Sequence, residues 1–372
     1  SRWTSGPRSL VDGPIIPAIL VFSLPLLLTN LLHALAGTWA AIWVSHVLGE
    51  GALVAVVNTN VFFFMMMGTI MGVGAASGIA IGQSVGRDNM QDVKRIAGTS
   101  VAFAGIAATL IASLGAAFAP NLVDLINLPQ ASRGYAIVFL RMTCLVMPSL
   151  FVFIFLMMMM RGCGDSTTPF KYSVVWISLT LLLGPLFLTG YGIFPKLGIA
   201  GIALGNLIGN WLALIAMLRH VYRHDLPIAL RGEELRFLRP DPALLAMLVK
   251  RGLPMGAETI IVQGAYFVLL GMVNAYGVVA AAAYAGAAQL WGYVQMPAMA
   301  LATSLSSMAA QNIGANLWHR VDLIAFRGCL LSVLITAATA VLILSLGELP
   351  LMLFLPNGGE SLAMAQDINE IV

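Results

Sequence analysis

Charge is what this sequence is short of. Only 9% of its 372 residues are charged, against about a quarter in soluble domains. A chain so poor in charge cannot coat itself with solvated side chains, which excludes an ordinary water-soluble fold: its outer surface has to face lipid. A cysteine framework is missing too. Cys144, Cys163 and Cys329 are odd in number and lack ligand spacing, so they read as small apolar packing residues. No HExxH, no phosphate loop and no Ser-His-Asp or Cys-His set suggested by chain order is present, so neither an enzyme nor a bound cofactor is expected. The period-two alternation of a membrane barrel is absent as well. What is there instead is a series of continuous apolar runs, far longer than the core of a signal peptide. In hydrocarbon such runs satisfy their backbone groups as helices.

A helix needs roughly 20 apolar residues to cross the bilayer. Spans are expected near 15–47, 52–84, 94–119, 134–160, 170–191, 197–219, 243–275, 278–312 and 322–346, with a tenth beginning near 361. Pro25, Pro148, Pro185, Pro254 and Pro297 fall inside them, as membrane helices allow. Sixteen of the nineteen Lys and Arg residues flank one side; only Arg133, Arg141 and Lys196 flank the other. The positive-inside rule then puts the N-terminus in the cytoplasm of a cell whose inner (plasma) membrane the chain crosses many times. The basic segment after the sixth span reads as a topology determinant beside anionic lipid, not as a nucleic-acid patch. The bilayer is a partner, nucleic acid is not, and the chain reads as a monomer.

The spans repeat. Leu24-Pro25 matches Leu253-Pro254, Gln83-x-x-Gly86 matches Gln311-x-x-Gly314, and Leu128-Pro129 matches Leu355-Pro356, at offsets of 229, 228 and 227. Six helices per unit is an even number, so the units share one orientation and are related by an axis along the membrane normal. The expected fold is an all-α polytopic membrane protein of two parallel-repeat helical lobes. Its parts are an N-terminal segment 1–13, a first lobe 14–220, a cytoplasmic linker 221–241 and an incomplete second lobe 242–372. After Pro356 the second unit lacks about three helices' worth of its partner's sequence. The chain opens on Ser1 rather than Met, so its native start is expected to lie upstream.

Glu258 is the one acidic residue well inside an expected span. A carboxylate there costs roughly 2.5–3.5 kcal/mol on insertion scales and is tolerated in a cavity or when protonated. Pro254, four residues earlier, leaves a free carbonyl on the preceding turn as a second ligand for a cation, Na+ being the candidate metal. Glu258 therefore reads either as a cation-coupling site or as a protonated side chain bonded between helices. His33, which can titrate near neutral pH, is a second coupling candidate or an ordinary bundle histidine. Asn30, Thr38, Asn58, Asn60, Gln263, Asn274, Gln289 and Gln295 are candidates for lining a substrate cavity. Gly74, Gly78, Gly82 and Gly86, and Gly201, Gly205 and Gly209, recur every four residues, as close helix packing requires. The runs Phe62–Met67 and Met157–Met160 read as soft binding surfaces or as plain core and lipid-facing segments. In Arg161-Gly-Cys-Gly-Asp-Ser-Thr-Thr-Pro169, Thr168 is expected to cap the next helix with Pro169 at its first position.

Taken together, the turn RGCGDSTTPF (161–170), the opening GLPMGAE (252–258) and the stretch QLWGYVQMPAMALATSLSSMAAQNIGA (289–315) resemble the multidrug and toxic compound extrusion (MATE) family. The resemblance implies two six-helix lobes and export of small amphipathic or cationic organic compounds, driven by inward movement of Na+ or H+. It also implies C-terminal truncation. Two departures stand out. By the match of IWVSHVLG (42–49), Ala40 sits where many members carry an Asp, and Gly184-Pro185 replaces their Asp-Pro. Two other readings stay open: a flippase for a lipid-linked sugar from the same superfamily, and a non-transporting paralogue. The flippase reading meets an obstacle in Arg141, the one basic residue well inside a span, because a diphosphate needs several cations. The orientation is directly testable. Residues introduced in 221–241 should be labelled by impermeant reagents only from the cytoplasm, and those near Gly190 and Gly277 only from outside.

Overall fold

The computed structural model describes residues 10–125, 130–274, 276, 278–347, 349–352 and 360–371. Among them every regular element is helical: α1 (Ile15–Leu48), α2 (Glu50–Gly86), α3 (Met90–Ala117), α4 (Ala119–Leu125), α5 (Gln130–Gly162), α6 (Thr167–Thr189), α7 (Ile199–Arg223), α8 (Pro242–Asn274), α9 (Val278–Gly314), α10 (Trp318–Ser345), α11 (Leu349–Met352) and α12 (Glu360–Ile371), with a 3-10 helix at Gly232–Leu238. A helix covers each of the nine expected spans, and α12 begins where the tenth was expected. Within the described residues, seven helices are long and apolar enough to cross a membrane. The chain is an all-helical, multi-span membrane protein.

Local chemistry sets the ends. Extended Pro14 precedes α1, and Gly49, at φ +85°, closes it with its N–H on the Ser45 carbonyl. Within α1, Pro25 cannot donate to the helix ladder, and the Thr29 hydroxyl donates to the Pro25 carbonyl at 2.7 Å. Asn89 caps α3 by accepting the Asp92 N–H. The cap of α6 corrects the sequence reading. Asp165, not Thr168, does the work: its Oδ1 accepts the N–H groups of Thr167 at 3.0 Å and Thr168 at 2.9 Å. A carboxylate carries the charge that favours a helix N-terminus, and the helix starts at Thr167, two residues earlier than a Thr168 cap would allow.

The glycines seat α2. Gly74 and Gly78 lie against Met158 of α5, where an added Cβ would stand 2.8 Å from the Met158 sulfur and carbonyl oxygen respectively. Further along, Gly82 meets Ala310 and Gly86 meets Gln311, both on α9, and Gly86 also meets Ala315 just past its end, while Gly314 meets Gln83. Each of these α2 glycines thus faces its own repeat equivalent or the residue beside it, and both helices advance in the same direction. A two-fold axis that relates parallel helices through such a reciprocal contact runs along them. The remaining joints exchange accordingly. Gly72 of α2 meets Gly252 and Gly256 of α8, and Ser304 of α9 donates to the Ile19 carbonyl of α1. The second glycine series packs α7 on α6, Gly205 against Gly184 and Gly209 against the Trp176 carbonyl. Met157, Met159 and Met160 are buried with Phe151, Phe153 and Phe155 in the main core, so that run is core rather than a binding surface.

The linker between α7 and α8 is a folded strap. Gly98 of α3 lies against the Phe237 backbone. Lys94 donates to Glu234 at 2.6 Å, and Arg95 pairs with Asp241. Asp241 also caps α8, its Oδ1 accepting from Ala243 and Leu244. The Lys94 ammonium, then the Arg231 N–H, hold the Glu234 carboxyl below its ordinary value. The Arg95 guanidinium, then the cap, do the same for Asp241. Folded-state values lie below those of the undocked segment, so docking is fully supported above the ordinary carboxyl values of 4.5 and 3.8 and lost as pH falls through the lower docked values. Amide exchange across 232–241 should therefore be protected at neutral pH and accelerate sharply on acidification below that range. In Lys94→Ala/Arg95→Ala it should already be fast at neutral pH.

Candidate functional site

Two groups of polar side chains lie among the spans. The first is held by α1, α6 and α7. His33 is partly buried and meets the Trp176 ring edge-on at 5.0 Å. Trp176 is braced on another side by Phe153, at 5.5 Å, and its indole N–H donates to Asn206 at 2.7 Å. Asn30, one turn before His33 on α1, is also partly buried. One turn beyond Asn206, the Asn210 amide is fully buried, with neither side-chain atom partnered among the described residues. Arg161, in the last turn of α5, has its Nε sealed from solvent and unpartnered among the described residues.

The second group is on α8. Gly252, Gly256 and Ile260 turn toward α2. Glu258 stands two residues past Gly256, about 200° around the helix, so it points away from α2. It is exposed and makes no ion pair or hydrogen bond with a described residue. Gln263 is also exposed on α8, as are Gln289 and Gln295 on α9. Thr38 is exposed on α1 with its hydroxyl on the Ala34 carbonyl at 3.2 Å, and Asn60 is partly buried on α2. The side chains of Asn58 and Asn274 lie outside the described residues. His33 and Asn30 thus share one neighbourhood, while Glu258 and Gln263 belong to another helix.

Sequence reasoning passed over Trp176, Asn206, Asn210 and Arg161. Trp176 and the two asparagines sit in runs that look like ordinary apolar spans, and Arg161 looks like a helix-end topology determinant. Their spacing offered one signal: Asn206 and Asn210 are four apart, on one face of a glycine-lined helix. The positions that depart from the family's carboxylates are both occupied by helix packing. Ala40 packs with Val44, Ala52 and Leu188, and Gly184 lies under Gly205.

A bundle of long apolar helices with paired repeats and polar side chains set inside it is an architecture that membrane transporters use. The MatE family profile matches residues 25–186 and 254–372, and the chain belongs to that family. It is 31% identical over 335 residues to Probable multidrug resistance protein YoeA of Bacillus subtilis, covering 90% of this chain and 72% of that one. It is 23% identical over 315 residues to Multidrug export protein MepA of Staphylococcus aureus, covering 84% and 68%. The fold superposes on a MATE crystal structure in complex with MaL6 with a TM-score of 0.88 at 19% identity, over 98% of this chain and 80% of the other. It superposes on a MOP superfamily transporter from Pyrococcus furiosus with a TM-score of 0.87 at 19% identity, over 98% and 79%.

The Asn210 amide provides a check on the first group. A sealed polar group without a partner costs about 1–3 kcal/mol, so Asn210→Leu should raise the thermal unfolding temperature of the purified protein. A fall would show that the amide has a partner.

Proposed function

We propose that this MATE-family exporter uses a gradient of Na+ or H+ to expel small amphipathic or cationic organic compounds across the inner (plasma) membrane, with its N-terminus in the cytoplasm. Segments 14–220 and 242–372 act as the two lobes and 221–241 as the link between them. The observation that carries the reading is Glu258, an acidic side chain deep in a helix and unpaired among the described residues. A carboxylate placed so is available to a proton or a sodium ion, and burial or ion occupancy would change its charge between two states of the transporter. The multidrug resistance and multidrug export named for YoeA and MepA support the export direction and the substrate class. Asn30, Thr38, Asn58, Asn60, Gln263, Asn274, Gln289 and Gln295 are the proposed polar contacts for substrate, and His33 is the second coupling candidate.

The flippase alternative has less support. Arg141, its best-placed cation, lies on an exposed flank with its Nε donated to the Ala116 carbonyl at 3.3 Å.

Coupling requires that the ion favour one facing state over the other. Glu258→Gln keeps size and hydrogen bonding but removes the titratable charge. In an export-competent form it should abolish export driven by a pH or sodium gradient while leaving the unfolding temperature nearly unchanged. Export by the variant with unchanged ion dependence would sink the coupling role, and His33→Gln would then be the substitution to measure.

A further inference from the structure

Most of the basic residues at the linker end of the bundle stand apart from one another, but three converge. A cavity of about 230 Å³ opens where α2 ends and α3 and α8 begin. Gln83 and Arg87 of α2, Asp92 and Arg95 of α3, and Met247 and Arg251 of α8 are among its lining residues. Arg251 lies two and a half turns into α8. Helical side chains lean toward their helix's N-terminus, and its long stem carries the charge down toward the aqueous end. The lining holds three arginines against one acid, Asp92, whose Oδ2 accepts from the neutral Asn89 amide at 2.7 Å and which keeps its charge. Arg95 is paired with Asp241. Arg87 and Arg251 are exposed, and neither donates to a described acceptor. Asp92 and the Asp241 paired to Arg95 offset two of the three guanidinium charges, and the one left over, on Arg87 and Arg251, is open to a further anion.

We propose that this cavity binds a phosphate group, presented by the headgroup of an anionic lipid or as free phosphate. The volume suffices, because a phosphate takes the space of about two or three waters. The planar donor fork of arginine matches phosphate oxygens in pairs. The N-terminal ends of α3 and α8 both border the cavity and add their positive dipole ends. A basic pocket between spans at the membrane surface is where headgroups are taken up. The charge is also not a general feature of such joints. By the local repeat offsets, the α1–α9 joint carries Ala315 and Phe22 where this one carries Arg87 and Arg251. An anion held here bridges α2 and α3 to α8, on opposite sides of the linker, and ties the joint.

The test reads binding rather than export, so its outcome is separate from the coupling proposal. The full chain in detergent is unfolded thermally while inorganic phosphate is titrated, with chloride holding ionic strength constant. A parallel series uses phosphatidylcholine micelles with increasing phosphatidylglycerol. The expected result is a saturable rise in unfolding temperature. A rise with phosphate identifies a free anion, and a rise with phosphatidylglycerol alone identifies a lipid headgroup. Arg87→Gln/Arg251→Gln should move the half-maximal concentration up about tenfold or more. Each single substitution should move it the same way by less. Arg219→Gln/Arg223→Gln, on α7 and outside the cavity lining, should respond as the wild type does. A wild type that saturates with neither ligand, or arginine variants with an unchanged midpoint, would overturn the proposal.

Discussion

Backbone meeting backbone along α2 is the contact on which the remaining arrangement rests. Over one helix the chain presents hydrogen atoms to three neighbours in turn: α8 at Gly72, α5 at Gly74 and Gly78, and α9 at Gly82 and Gly86. In lipid there is no hydrophobic gain from bringing two apolar helices together, so close packing is what holds them. A methyl group at any of these positions would meet backbone or a neighbouring side chain at 2.9 Å or less. The position of α2 therefore sets that of α5, which carries the phenylalanine and methionine core, and of α8, which carries Glu258. Through α9 it also sets the crossing that relates the two repeats.

Much of this was legible because lipid makes strict demands. A segment that crosses hydrocarbon must be long, apolar and helical, so α1–α3 and α5–α10 could be read with ends close to those observed. The repeat was legible from Gln83, Gly86, Gln311 and Gly314 because these residues meet at the crossing and cannot drift freely. Other features depend on which surfaces meet, and no periodicity announces that. The methionines of 157–160 read equally well as a binding surface or as core, since a continuous apolar run does not say which side faces protein. The linker read only as a basic cytoplasmic connector, because its docking depends on Gly98 and Arg95, some 140 residues away. At the start of α6 four capping-type residues stand in a row, Asp165 to Thr168, and the side chain with a charge took the free N–H groups.

The polar group around Trp176 was the least visible part of the candidate site. Its members come from α1, α5, α6 and α7, and each alone is unremarkable in its own span. Their meeting gives the first half of the chain an interior that holds imidazole, indole and amide groups. Glu258 stands on the other side of the linker.

The reciprocal contact of Gly86 and Gly314 has a consequence for how such a chain can change over generations. In a symmetric pair of half-length chains, any substitution at this position would appear on both sides of the contact at once, and a bulkier side chain would collide twice. Once the two copies are joined in one polypeptide, each side can be altered separately. One half can then accumulate arginines at a joint while the matching joint keeps Ala315 and Phe22, and symmetry of shape survives while symmetry of charge is lost.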